Sequence, residues 1–241
     1  KALMSELKLH RNLDITDLVF IIGPRINAAG RIAHGSEAVT LLIEEDYETA
    51  LEKTKKVQQN NTDRKTLDKD ITEEAFAMID AEEVLIHKKS TVLYQEHWHK
   101  GVIGIVASRL IEKYHRPTII LASSNGKAVG SGRSVPGFDL HDAIDACSEH
   151  LVQFGGHKYA AGLTIELHKI EDFITAFDKI VSERITEEQL IPQIEIDAEI
   201  ELTDINEKFF NIVEQMGPFG PGNMRPVFVT KCVYDTGYSK I

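Results

Sequence analysis

The sequence predicts an α/β protein with a mixed sheet, which a long connector helix precedes and the start of a β-rich unit follows. Three observations support this fold class. Residues 47–80 contain neither glycine nor proline, which indicates one long helix. From residue 84 onward, short apolar strands alternate with helices, and Asn125-Gly126 marks an antiparallel hairpin between two of the strands. After Pro192, residues 194–200 alternate apolar and polar side chains at the period of a strand.

The first elements lie on either side of Gly23-Pro24, where we expect the regular secondary structure to be interrupted. Before it, the apolar run Leu18–Ile22 is expected to be buried. After it, residues 25–31 combine small side chains with two arginines and no acid. Ser36 is the expected N-cap of a short helix.

The long helix is expected to start at an Asp46 N-cap. Its apolar residues recur at helical spacing among charged ones, with an expected interruption near Asn60-Asn61. A helix of that length and polarity indicates a linker between two domains.

The mixed-sheet region is expected to contain four strands and three helices. The expected strands are 91–95, 118–122, 127–134 and 163–167, and the expected helices are 102–114, 140–150 and 170–189. Arg116-Pro117 ends the first of these helices, because proline cannot continue it.

The last section is β-rich. A short helix over 205–215 and a strand that begins at 226–229 follow the alternating segment. The room left after Pro192 is short for a complete β-rich domain, so we expect the sequence to end inside one.

The composition of the 241 residues is that of an ordinary globular protein, with 42% hydrophobic and 27% charged residues. The net charge of −11 argues against an indiscriminately basic nucleic-acid binder, although it allows a local basic groove. No apolar run approaches the roughly 18 residues that a membrane span needs. Cys147 and Cys232 have no metal-binding or redox spacing, so the expected location is the reducing cytoplasm.

The charge is unevenly distributed along the chain. Residues 99–133 carry six basic side chains against one acid, whereas residues 166–207 carry thirteen acids against three bases. A phosphate-bearing ligand would be attracted to the first stretch and repelled by the second. Two solvated faces of opposite charge would explain the same pattern, so charge alone only nominates a region.

The segment Gly130–Ser134 is the first candidate for chemistry. Its glycines allow close backbone approach, Ser131 offers a hydroxyl, and Arg133 offers a forked cation. Together these groups suit a phosphate. The alternative is a strand relieved by glycine that carries an exposed arginine.

The segment Phe154–Gly162 is the second candidate. Two glycines before His157 are expected to hold its imidazole on a tight loop, where it could donate to a phosphate oxygen or shuttle a proton. An incidental loop histidine is the alternative.

Three further features are weaker. We expect no shared metal ion at His97-Trp98-His99, because alternating side chains of a strand point to opposite faces. Trp98 is expected to be a core or interface anchor. The glycines of residues 101–107 favour either an anion at a helix start or close helix–sheet packing. The sequence contains no P-loop, nucleophile elbow or dense Asp/His cluster for two catalytic metals, so no metal ligand is assigned.

Five segments together resemble one family. They are Gly23–Arg31, Trp98–Ala107, Gly130–Arg133, Phe154–His157 and, at the end, Pro218–Phe228. Their order is that of the RecJ family, single-strand-specific DNA exonucleases of the DHH phosphoesterase superfamily. The Phe-Gly-Gly-His sequence favours RecJ over the superfamily's small-oligonucleotide phosphodiesterases, in which Gly-Gly-Gly-His is common.

The resemblance implies a domain organisation. Residues 1–42 would be the C-terminal remnant of the catalytic DHH domain, and 43–81 the long connector helix. Residues 82–190 would be the DHH-associated substrate-binding domain, and 191–241 the truncated start of the RecJ oligonucleotide-binding domain. The family's metal-binding aspartates and Asp-His-His motif would lie upstream, so Mn²⁺ or Mg²⁺ is expected in the full-length enzyme and not in this part.

The resemblance also implies roles for individual residues. His157 would be the catalytic residue, and Arg133 is expected to converge with it on one phosphate pocket. The residues that would bind the DNA substrate are Ser131, Arg133, Gly155, Gly156, Arg25, Asn27 and Arg31, the last three near the domain junction.

The implied function is the substrate-binding portion of a 5′-to-3′ exonuclease that acts on single-stranded DNA in repair and recombination. Single-stranded-DNA-binding protein is a further expected partner, and no membrane association is expected. Two alternatives stay open: a phosphodiesterase for cyclic dinucleotides or short oligoribonucleotides, and a nucleic-acid-binding module without catalysis.

Overall fold

The computed structural model describes residues 1–234 and 237, and the chain divides into two compact units. The first unit comprises Lys1–Ile191, and the second begins at Pro192. None of the described helices is long and apolar enough to cross a membrane.

The first unit begins with four short helices. They are Ala2–Glu6 (α1), Ile15–Asp17 (α2), Gly23–Ile32 (α3) and Ser36–Leu42 (α4). A π-helical turn over Leu18–Ile22 joins α2 to α3, so residues 15–32 form one helical stretch. Ser36 is the first residue of α4 and Gly35 is the N-cap, one position earlier than expected.

The apolar run before Gly23 is helical and largely exposed, so the expectation that it is buried was wrong. Phe20, for example, is 72% exposed. Consecutive side chains in a helix point around its axis, so a run of five cannot all face one core. The expected break is also absent: Gly23 donates to the Leu18 carbonyl across the π turn, and Pro24, which has no N–H, lies in the first turn of α3.

The connector is one continuous helix, Tyr47–Asp80 (α5), as the sequence predicts. Asp46 is its N-cap and accepts a 2.8 Å hydrogen bond from the Thr49 backbone N–H. Its 34 residues span about 50 Å at 1.5 Å per residue. The expected interruption is absent: Asn60 and Asn61 are buried, and the Asn60 amide donates to Glu37 at 2.9 Å.

Two hydrophobic clusters bury opposite ends of α5. Near its start, Ala50 and Val57 pack with Ala29 of α3. Near its end, Ile71, Ala75 and Ile79 pack in the cluster that contains helix Ile103–Tyr114 (α7). Because α5 belongs to both clusters, it ties the N-terminal helices to the sheet. A short helix, Glu83–His87 (α6), follows α5.

The sheet has five strands in the order β1-β2-β3-β5-β4. The strands are Thr91–Gln95 (β1), Thr118–Ser124 (β2), Lys127–Arg133 (β3), Leu151–His157 (β4) and Ala160–Glu166 (β5). β1 and β2 are parallel, and the remaining pairs are antiparallel. The mixed sheet and the Asn125-Gly126 hairpin are therefore as the sequence predicts.

β4 was not predicted, and its last three residues are Gly155, Gly156 and His157. The expected tight loop before His157 is thus a strand, and the turn lies one step later at Lys158-Tyr159. Gly156 remains in register with β5 at a φ of +147°, a backbone conformation that L side chains rarely adopt. The two glycines change the shape of the strand and do not end it.

Helices cover the two faces of the sheet unequally. Leu140–Asp145 (α8) and Ile170–Arg184 (α9) bury one face, where Phe173 and Phe177 are fully buried. On the other face, α7 and α5 cover β1, β2 and part of β3. Gly155 and His157 of β4 are exposed, as is Gly162 of β5. That face is therefore open over β5 and β4. α8 and α9 are shorter than predicted, since they end at Asp145 and Arg184. Short 3-10 turns at Ser148–His150 and Glu188–Leu190 follow them.

The described part of the second unit has little regular structure. It contains a two-residue parallel strand pair, Ala198–Glu199 (β6) with Phe228–Val229 (β7), and helix Glu207–Gln215 (α10). The side chain of Asn223 donates to the Met216 and Pro218 carbonyls, both at 3.0 Å, and holds this segment in a compact turn. Of the expected strand 194–200, only the two residues of β6 near its end form a strand.

Candidate nucleic-acid interface

Ser131 and Arg133 lie two residues apart on β3, so both side chains project from the same face of the sheet. Arg133 Nη1 donates to Ser131 Oγ at 3.0 Å and to the Gly132 carbonyl at 2.7 Å. Burial lowers the pKa of Arg133, and the positive charge of Arg31 lowers it further. The guanidinium stays charged, because even a lowered arginine pKa lies far above neutrality, and it is partly desolvated.

The N-terminus of α7 lies directly over this end of β3. A Cβ atom built on Gly104 would lie 2.8 Å from Ser131 Oγ and 2.9 Å from Arg133 Nη2. The unpaired N–H groups of a helix N-terminus carry a partial positive charge. The serine hydroxyl, the guanidinium and the helix terminus therefore present donors and positive charge to one small region.

Arg31, at the end of α3, reaches the same region from the N-terminal helices. Its Nη1 donates to the Gly101 carbonyl at 3.3 Å, just before α7. The backbones of the two residues are also close, since a Cβ on Gly101 would lie only 2.0 Å from the Arg31 carbonyl oxygen. Arg31 is exposed, and it is near enough to Arg133 to lower that residue's pKa. Arg31 and Arg133 are distant in sequence but lie at the same end of α7, Arg31 on the Gly101 carbonyl and Arg133 against Gly104.

His157 shares a row of the sheet with Arg133. Ala160 of β5 pairs with Arg133 on one side and with His157 on the other. Directly opposed residues of antiparallel strands point to the same face, so both side chains face the open side. They are two strands apart, which separates their Cα atoms by about 10 Å. His157 Nδ1 accepts from the Tyr159 backbone N–H at 3.2 Å, which leaves the proton on Nε2.

Glycines form an open floor in the row of the sheet next to these two side chains, whereas Ala160 lies directly between them. Gly162 of β5 pairs with Ser131, and Gly155 of β4 pairs with Gly162. A Cβ on Gly155 would contact nothing within 4 Å, and one on Gly162 would approach only the Gly130 carbonyl, at 3.8 Å. A polymer backbone could therefore lie against this part of the sheet.

Gly156 has a different role. A Cβ there would lie 2.3 Å from the Ala160 carbonyl oxygen and 2.6 Å from the Ala161 Cα. Glycine at this position is required for the pairing of β4 with β5.

The other two sequence-predicted residues of α3 lie differently from Arg31. Arg25 Nε donates to Gln58 of α5 at 2.7 Å, and its Nη1 donates to the Ile21 carbonyl, so its guanidinium is used in helix packing. Asn27 is exposed and lies four residues before Arg31, on the same face of α3. Of these residues, Arg31 is the one that the structure brings to Arg133.

The histidines around Trp98 do not form a site of their own. Trp98 is buried, and its Nε1 donates to Glu74 of α5 at 2.7 Å, as expected of a core anchor. His97 Nε2 lies 2.9 Å from the same Glu74 carboxylate oxygen. His99 Nδ1 instead accepts from the Gly101 N–H at 3.1 Å and so orders the turn that Arg31 contacts.

Most of the basic side chains in residues 99–133 have structural partners, which the sequence pattern could not indicate. Arg109 donates twice to Asp68 of α5, at 2.9 Å each. Arg116 is buried and donates to Thr91 Oγ1 at 2.7 Å. Lys113 and Lys127 pair with Asp80 and Glu166. The expected basic groove is therefore narrower than the charge count suggested and centres on Arg133.

Residues 1–234 and 237 contain no group of three or more His, Cys, Asp or Glu side chains that could hold a metal ion. The donor groups described for this chain therefore do not fit a two-metal centre.

Comparisons with known proteins identify two domains in the chain. The family model of the DHHA1 domain matches residues 87–183, and that of the RecJ OB domain matches residues 196–241. The chain belongs to the RecJ family. It is 35% identical to the single-stranded-DNA-specific exonuclease RecJ of Bacillus subtilis over 209 residues, which are 86% of this chain and 26% of that protein. The RecJ of Haemophilus influenzae is 36% identical over 220 residues, 88% of this chain and 38% of that protein.

Solved RecJ structures share the fold. The crystal structure of Thermus thermophilus RecJ in complex with Mg²⁺ superposes with a TM-score of 0.82 at 26% identity, and covers 94% of this chain and 34% of its own. The complex of the same protein with Mn²⁺ gives a TM-score of 0.83. The chain thus spans between about a quarter and two fifths of the length of the RecJ relatives it matches.

Proposed function

We propose that this chain is the substrate-binding portion of a metal-dependent exonuclease that degrades single-stranded DNA from the 5′ end. Its RecJ relatives are named single-stranded-DNA-specific exonucleases. The observation that carries the proposal is that two arginines lie at the start of α7, Arg31 on the Gly101 carbonyl and Arg133 beside Ser131 and Gly104.

This arrangement favours a phosphate. Two like charges repel each other, and the Arg133 charge is also partly removed from water. A bound phosphate would offset both costs, and each guanidinium could donate two parallel hydrogen bonds to its oxygens. The Ser131 hydroxyl would add a third donor group at the same place.

His157 holds a second position along the DNA strand in this proposal. Arg133 turns towards Ser131 and α7 while His157 lies two strands away, so we propose that they hold neighbouring phosphates and not the single phosphate expected from the sequence. We propose that the DNA backbone crosses the sheet between them, over Ala160 and the neighbouring glycine floor. His157 Nε2–H would then donate to a neighbouring phosphate and act in catalysis by stabilising charge that develops there.

The metal chemistry belongs to other residues. We propose that the enzyme uses Mg²⁺ or Mn²⁺, the ions named for the Thermus thermophilus structures. Their ligands would lie outside the residues described here, so the chain by itself is expected to be inactive. Incubation of the purified chain with labelled single-stranded DNA and Mn²⁺ tests this expectation, and chelator-sensitive cleavage would contradict it.

A single-stranded substrate fits the open face better than a duplex does. The floor is bare over the two strands β5 and β4, and one flexible backbone can lie along it. The RecJ OB domain also favours this reading over a cyclic-dinucleotide or short-RNA phosphodiesterase. A role in DNA repair and recombination in the cytoplasm, with single-stranded-DNA-binding protein as a partner, belongs to the same proposal.

Binding measurements test the proposed function. Fluorescence anisotropy would compare single-stranded and duplex oligonucleotides on the wild-type chain and on Arg133→Ala. We expect weak binding that prefers single strands, and a dissociation constant roughly tenfold higher in the variant, as expected for the loss of a charged hydrogen-bonding group. Equal affinity of Arg133→Ala and wild type, or a preference for duplex, would contradict the proposal.

A further inference from the structure

Gly104, the second residue of α7, lies against Ser131 and Arg133, the two side chains of β3 that are proposed to bind phosphate. The Cβ position at Gly104 is within 3 Å of both Ser131 Oγ and Arg133 Nη2. A real Cβ atom would have to displace one or both of these polar atoms.

We propose that Gly104 is a positioning residue for the DNA phosphate site: the absence of its side chain allows the Arg133 guanidinium to rest against α7 beside Ser131. This inference rests on the proposed function of Arg133. Gly104 itself would not need to contact DNA.

Helix formation does not explain a glycine at this position. Glycine is a poorer helix former than alanine, so a role limited to α7 would favour alanine. Close packing of helix on sheet does not explain it either. The atoms that a Cβ would meet are the ends of two side chains and not the backbone. Gly101 differs in this respect, because its Cβ would collide with the Arg31 main-chain carbonyl.

The difference has a consequence for substitution. In Gly104→Ala, the flexible end of Arg133 can move and the fold can remain. The guanidinium would leave its place next to Ser131 Oγ, which is now 3.0 Å from Nη1. The substitution should therefore separate phosphate binding from stability.

The experiment is a double-mutant cycle on the 241-residue chain. It compares wild type, Gly104→Ala, Arg133→Ala and the double variant by anisotropy with a single-stranded oligonucleotide, and records the melting temperature of each. Gly35→Ala is the matched control, because it adds the same methyl group in αR backbone where nothing lies within 4 Å.

We expect Gly104→Ala to raise the dissociation constant several-fold with an unchanged or higher melting temperature, and Gly35→Ala to bind as wild type. The double variant should bind little more weakly than Arg133→Ala alone, because the methyl group acts mainly through that side chain and the Ser131 hydroxyl can rotate away from it.

Three outcomes would overturn the inference: wild-type affinity in Gly104→Ala, additive losses in the double variant, or a loss of affinity accompanied by a lower melting temperature. These outcomes are distinct from failure of the proposed function, in which Arg133→Ala itself would bind as well as wild type.

Discussion

Arg133 is oriented by its own strand before any ligand arrives. Its Nη1 is shared between Ser131 Oγ and the Gly132 carbonyl, and the rest of the planar guanidinium keeps its donors for other partners. A lysine ammonium is a point charge without this fork. The geometry of the site thus depends on the shape of the cation as well as on its charge.

We therefore expect Arg133→Lys to retain charge and yet weaken single-stranded DNA binding severalfold, measured as the dissociation constant at fixed salt. Lys127→Arg is the control, since it makes the opposite exchange on the same strand at a side chain that pairs with Glu166. Binding of Arg133→Lys at the wild-type level would mean that charge alone is recognised.

Two adjacent glycines of β4 give a second prediction. Gly156→Ala should lower the free energy of unfolding by roughly 1–3 kcal/mol, because its φ is +147° and its Cβ would collide with the Ala160 backbone. Gly155→Ala should leave stability nearly unchanged, since its Cβ would meet nothing within 4 Å. Chemical denaturation of both variants gives the comparison, and equal stability losses would contradict it.

The Gly130–Arg133 segment is recognisable in the sequence as a candidate phosphate site because small residues, a hydroxyl and an arginine are adjacent in the chain. The charge pattern does not separate Arg133 from Arg109 and Arg116, which have the same charge. Their partners, Asp68 and Thr91, lie 41 and 25 residues away. Gly104 stood out only as one of two glycines at a helix start, and the sequence could not indicate which side chains it accommodates, because they belong to β3.

Elements were predictable where one local signal dominated. The Asp46 cap and the run without glycine or proline defined α5, and Asn125-Gly126 defined the β2–β3 hairpin. β4 was not predictable in the same way. Its glycines are typical of loops, and pairing with β5 overrides that local preference. The run Leu18–Ile22 was expected to be buried and is largely exposed. Apolar character alone does not say whether another part of the chain covers a residue.

At the element scale, the end of α5 is fastened to α7 by Asp80. Its carboxylate accepts from Tyr114 Oη at 2.7 Å and from Lys113 Nζ at 2.9 Å. The hydrogen bond from Tyr114, and after it that from Lys113, are the largest causes that hold the pKa of Asp80 below its ordinary value. A pKa that is lower in the folded state gives stability that is complete above the unfolded value of about 4 and is lost as the pH falls through the folded value.

We expect the free energy of unfolding to fall between pH 5 and pH 3, and Asp80→Asn to make that fall shallower. Denaturant titrations at several pH values measure the slope. The effect should be partial, because other carboxyl groups, such as Glu166 and Glu44, also have lowered pKa values. An identical pH dependence in Asp80→Asn would show that this contact contributes nothing to acid sensitivity.

At the scale of the whole molecule, a net charge of −11 would have to coexist with the proposed binding to a polyanion. The general field of the chain repels DNA, so attraction must come from a few cations at short range. Ion pairs use many of the remaining cations, including Lys113 and Lys127. In the proposed interface, Arg31 and Arg133 are the central cations, and the number of phosphates neutralised should be low.

The salt dependence of binding measures that number. For single-stranded DNA, the logarithm of the binding constant falls with the logarithm of salt concentration by about 0.7 for each neutralised phosphate. Arg133→Ala should therefore reduce the slope by about 0.7 if it removes one phosphate contact. Lys127→Ala, which removes a paired cation from the same strand, should leave the slope unchanged. Equal reductions in both variants would mean that the DNA responds to the summed charge of β3, and that the two arginines do not form a distinct phosphate site.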